Sequence, residues 1–159
     1  MKAAKAQAAP ICTDKGRVAV AGMLGISQGS VSPSAAVGNN GEPECHFTAD
    51  VGNRRIRVVV NVDTSPQPYA RLERTIVEDG QQFGLVRGFA APVTVPKLGL
   101  DAAWVPDADQ VITTDGNALI TATVAWGGAR QAQRRALATA AARAYLGKLN
   151  RKAAQQTEV

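Results

Sequence analysis

From Arg55 to Asp63 apolar and polar residues alternate: Ile56, Val58, Val60 and Val62 fall on one side, Arg55, Arg57 and Asn61 on the other. A period of two marks a strand with one buried and one wet face, with Val59 as the one apolar residue on the wet side. The same code returns later. Ile120, Ala122, Val124 and Trp126 share one side of the stretch Ala118 to Trp126, and Thr121 and Thr123 take the other. In both places a shorter strand and a Gly-Asn turn come first: Cys45 to Ala49 with Gly52-Asn53, and Val111 to Thr114 with Gly116-Asn117. Aligning 47–62 with 112–126 puts Ile120 on Ile56 and Val124 on Val60. The echo predicts two pseudo-repeated strand–strand–helix halves.

Helical signals fill the rest. Thr13 or Asp14 caps a first helix that runs to about Leu24 and stops at Gly25. Ser65-Pro66 opens a second, with Tyr69, Leu72 and Ile76 on one face and Gly80 at its end. After Gly127-Gly128, an Ala-rich helix runs from about Ala129 to Leu149, its Leu137, Ala141, Ala144 and Tyr145 turned to the sheet. The polar stretch Ser27 to Glu44 reads as a loop with a turn at 38–41. Short strands are expected at Val93 to Val95, flanked by prolines, and at Trp104-Val105 before Pro106.

The expected fold is α+β: an antiparallel sheet of about five or six strands with helices packed on one face. Residues 12–150 form one domain, 1–11 a flexible tether and 151–159 a frayed tail. The chain's 159 residues suffice for one core. Aromatics are only 4% of it, so Val, Leu, Ile and Ala must fill that core. No apolar run approaches the roughly 18 residues of a membrane-spanning helix.

The two cysteines, Cys12 and Cys45, bracket the first helix. A structural disulfide in an oxidising compartment fits this placement, because it staples the junction of tether and domain. Two separate buried thiols are the alternative. The net charge of +5 is concentrated. Beyond Gly127 stand Arg130, Arg134, Arg135, Arg143, Lys148, Arg151 and Lys152 against Glu158 alone. Basicity therefore belongs to the last helix and its tail.

Catalytic chemistry finds little to work with. His46 is the single histidine, and its neighbour Cys45 points to the opposite face of a strand. No Gly-x-Ser-x-Gly elbow and no phosphate-loop ending are present. Asp107, Asp109 and Asp115 lack calcium-loop spacing and read as turn residues. No metal, cofactor or catalytic residue is expected. Trp104, Trp126 and Tyr145 are candidates for a ligand pocket between sheet and helices. Arg130, Arg134, Arg135 and Arg143 are candidates for polyanion binding, with Arg54, Arg55 and Arg57 adding to the basic surface.

Several weak motifs occur in a definite order: Cys12 before a Leu24-Gly25 helix end, Cys45-His46-Phe47 opening a strand, Leu98-Gly99-Leu100-Asp101-Ala102 before another, and a closing helix that ends Ala144-Tyr145-Leu146-Gly147-Lys148-Leu149. From Cys12 to Leu149 this layout resembles a family of actinobacterial secreted or lipoprotein domains of unknown function. The resemblance implies an extracytoplasmic location, a cystine and a non-enzymatic sensing or binding role. The residues before Cys12, Ala9-Pro10-Ile11, depart from a lipobox.

The leading expectation is thus an extracytoplasmic, non-catalytic binding or sensor-like domain. Its partner would be a protein, a cell-envelope component or a small apolar ligand. The alternative is an intracellular basic adaptor that binds nucleic acid or another polyanion through the last helix.

Overall fold

The computed structural model describes residues 11–68, 70–72, 74 and 92–152. Helix α1 spans Asp14–Leu24. The Thr13 hydroxyl accepts from the Gly16 N–H at 3.0 Å, which satisfies a donor that the first turn leaves open. Gly25 closes the helix in the left-handed region, at φ 67°.

Among the described residues seven strands follow: β1 (Ser32–Val37), β2 (Pro43–Val51), β3 (Arg54–Asp63), β4 (Val93–Thr94), β5 (Asp101–Val105), β6 (Gln110–Thr114) and β7 (Leu119–Ala125). They form one antiparallel sheet in the order β1-β2-β3-β7-β6-β5-β4. Helix α2 spans Gln131–Ala144. Residues 68, 70–72 and 74 are also helical.

The expectation of five or six strands is corrected to seven. The added strand is β1, inside the stretch read as loop. It is an edge strand with an exposed, non-alternating sequence and a proline, a residue that an edge tolerates because its ladder needs fewer donors. The turn at 38–41 is present, with the Gly38 N–H donating to Glu42 O at 2.7 Å.

Both echoing segments form hairpins, β2–β3 and β6–β7. Their second strands meet at the centre of the sheet, with Val58 opposite Val124 and Val60 opposite Ala122. The helices do not follow the echo. α1 and α2 cover the face that carries Cys45, Phe47, Ile56, Val58, Val60, Trp104, Val111, Ile120, Ala122 and Val124. Leu72, in the helical segment after β3, packs instead with Val105, Ile112 and Leu119. Those three alternate with Trp104, Val111 and Ile120, so they lie on the opposite face. Helices therefore contact both faces, not one, and the two halves are not equivalent.

Ile11, assigned by sequence to the tether, is buried in the main core. The rest of the expected tether and residues 153–159 of the expected tail lie outside the described residues, as do Tyr69, Ile76 and Gly80 of the second helix. α2 ends at Ala144, and it buries Leu137, Ala138, Ala141 and Ala142 rather than a face running on to Leu149.

Candidate functional site

α2 is the element on which the candidate residues converge. Its buried positions Leu137, Ala138, Ala141 and Ala142 fix which side meets the sheet. At 3.6 residues per turn, Ala132, Arg135, Ala136, Thr139, Ala140 and Arg143 fall on the other side. Alanine at three of these positions leaves the helix surface low. Met23 near the end of α1, with Val95 and Pro96 after β4, stands higher and bounds a groove of about 510 Å³ over those residues. α1 and α2 run side by side, so Met23 belongs to the same wall.

A second cavity of about 230 Å³ shares Met23, Ala132 and Ala136 with the first and ends at Trp126 and Gln133. The two thus adjoin on α2. The lining is apolar except for Arg135, Thr139, Arg143 and Gln133. The combination of an apolar body and a few polar groups is what small-ligand sites commonly show.

The four candidate arginines divide. Arg134 Nε donates to Asp109 Oδ1 at 2.8 Å, and its Nη1 donates to the Ala129 carbonyl. It ties the start of α2 to the β5–β6 connection and is committed there. Arg130 is exposed at the N-cap, where its backbone N–H donates to Gln133 Oε1 at 2.8 Å. Arg135 and Arg143 line the groove, and among the described residues neither has an ion pair. The four thus do not form one basic surface.

The three candidate aromatics also separate. Trp104 is buried in the core, 1% exposed, and its Nε1 has no hydrogen-bond partner among the described residues. Tyr145 caps α2 beside Phe47, with ring centroids 6.5 Å apart at 64°. Its hydroxyl donates to the Ile11 carbonyl and accepts weakly from the Thr13 N–H at 3.4 Å. Burial raises the Tyr145 phenol above its ordinary value, against the smaller opposing effect of the Thr13 contacts. Trp126 alone of the three lines the groove.

Cys12 and Cys45 form a disulfide, with Cα atoms 5.1 Å apart. It joins the residue before the α1 cap to the buried centre of β2. Among the described residues there is no cysteine outside this pair.

The opposite sheet face carries a polar row. His46 Nε2 lies 2.8 Å from Glu44 Oε1, and Asn61 Nδ2 donates to Glu42 Oε1 at 3.0 Å and to Glu44 Oε2 at 3.3 Å. The sequence reading set His46 apart from Cys45 and did not name Glu44 as its partner. The signal was available: two residues apart on one strand means the same face. Asp109 holds Arg134, and Asp115 accepts from the backbone N–H groups of Asn117, Ala118 and Gly147 at 2.8, 3.1 and 2.8 Å. Both carboxylates have structural employment. Among the described residues no cluster of three metal-binding side chains occurs, and no helix is long and apolar enough to cross a membrane.

No family model, no curated protein and no solved structure matches the chain.

Proposed function

We propose that this chain is an extracytoplasmic, non-catalytic binding domain whose ligand lies in the groove along α2. One observation carries the reading: two adjoining hollows that share an apolar lining of Met23, Ala132 and Ala136, one also lined by Val95 and Pro96 and the other by Trp126. Its main cavity, about 510 Å³, is within the range that small ligands fill, roughly 300–1,000 Å³. The location rests on the Cys12–Cys45 disulfide, because such bonds persist in oxidising compartments. The same staple keeps α1, which supplies Met23, fixed against the sheet.

The alternative of a basic adaptor for nucleic acid loses support at Arg134, which is occupied by Asp109.

The test is a titration with a neutral alkyl probe such as 1-dodecanol, followed by tryptophan emission. Saturable change that disappears in Trp126→Phe supports the groove as the site. A folded protein whose emission does not respond, with no heat of binding, refutes it.

A further inference from the structure

We propose that the groove's ligand is a single-chain amphiphile with an anionic head, held by Arg135 and Arg143, with its chain running along α2 toward Trp126. This rests on the reading of the groove as a ligand site and adds the chemistry of the ligand.

Arg135 and Arg143 sit on the groove side of α2, and among the described residues neither has an ion pair. Arg135 is half-buried beside this apolar lining and Arg143 is exposed, and among the described residues no carboxylate neutralises either. An anion entering the groove restores that balance, and a carboxylate or phosphate matches the planar guanidinium fork. The neighbouring Arg134, also half-buried, shows what the chain does when it supplies its own counter-charge: it places Asp109 at 2.8 Å.

Shape gives the rest of the ligand. Arg143 and Arg135 are eight positions apart, about 12 Å along the helix axis. From Arg143 to Ala132 the lining extends roughly 16 Å. Ala132 and Ala136 also line the second cavity, which Trp126 borders. Arginines on one side of the lining, with alanines along α2 and Met23 beside them, fit a charged head followed by an unbranched apolar chain. A nucleic acid would need further phosphate contacts and stacking aromatics, and Trp126 is the one aromatic on this lining.

The experiment compares dodecanoate with 1-dodecanol by calorimetry at low salt, below the concentration at which either aggregates. Dodecanoate is expected to bind about tenfold tighter, the scale of one charge-assisted contact. In the Arg135→Gln/Arg143→Gln variant the ratio of dodecanoate to dodecanol affinity should fall to about one. Equal affinities in the wild-type protein would overturn the anionic head and leave the groove standing. A preference for dodecanoate that survives in the double variant would place the head elsewhere and overturn the assignment. Binding of neither compound would overturn the groove itself. Circular dichroism of the double variant confirms that it is folded.

Discussion

The Tyr145 hydroxyl donates its hydrogen to the backbone carbonyl of Ile11, joining the end of α2 to the residue before Cys12 across 134 positions of sequence. The Cys12–Cys45 bond grips the same place from the sheet side. The entry of the chain into the domain is thus held twice, once covalently and once by a phenol. Tyr145→Phe keeps the ring contact with Phe47 and loses the hydrogen bond, so it should cost about 1 kcal/mol in urea unfolding. No loss would mean that water replaces the phenol without penalty.

Reduction of the disulfide, or a Cys12→Ser/Cys45→Ser double substitution, should cost about 3–4 kcal/mol, the loop-closure scale for a separation of 33 residues. The denaturant midpoint with and without reductant checks it. Tyr145→Phe should be more damaging in the reduced protein, where Tyr145 is the remaining tie of the two.

Gly16 sits where α1 crosses Phe47 and Tyr145. A Cβ there would come within 2.7 Å of Phe47 Cζ and 3.1 Å of Tyr145 Cε1. Phe47 is fully buried and cannot swing away. Gly16→Ala should therefore destabilise by about 1–3 kcal/mol through overpacking, despite alanine's better helix propensity. Gly22→Ala, whose added Cβ meets nothing within 4 Å, is the control and should be neutral or stabilising.

Asp115 is 5% exposed and joins the β6–β7 turn to the segment after α2 through three backbone donors. Asp115→Ala leaves the N–H groups of Asn117, Ala118 and Gly147 without this acceptor and should cost about 3 kcal/mol. Thermal unfolding of the variant measures it.

The pH dependence has two limbs with named causes. The Ser65 side-chain hydrogen bond first, then the Ser65 backbone and Arg71, together outweigh the opposing effect of burial and hold the Asp63 carboxyl below its ordinary value of 3.8. A lowered acid stabilises the fold above that ordinary value and loses its contribution as pH falls through the folded value. Asp63→Asn should flatten the acid side of the stability profile. Tyr145 works the other way: its raised pKa gives a contribution present below 10.0 and lost as pH rises above it. Tyr145→Phe should flatten the alkaline side.

Some of this was legible in the sequence for physical reasons. Thr13 and Gly25 bound α1 because capping chemistry is local. The two hairpins announced themselves through one-sided burial in β3 and β7. β1 did not, because an exposed edge needs no apolar alternation. The use of both sheet faces was hidden in the pairs Trp104-Val105 and Val111-Ile112. Consecutive apolar residues there mean that both faces of β5 and β6 are covered, which blurs the period of two. At the site, α2 was visibly basic. That Arg134 is held while Arg135 and Arg143 have no ion pair among the described residues depended on Asp109, 25 positions from Arg134, and on a contact that only folding creates. The groove required Met23, Pro96 and Ala136 to meet, and no periodicity reports that.

The most direct test uses the side chain that walls both cavities. The chain has two methionines, Met1 and Met23. Labelling their methyl carbons gives two signals, and Met23→Leu assigns them. Titration with dodecanoate should move the Met23 methyl saturably, with the same midpoint as the calorimetric binding. A Met23 signal that stays fixed while the folded protein is exposed to saturating dodecanoate would contradict a ligand site on α2.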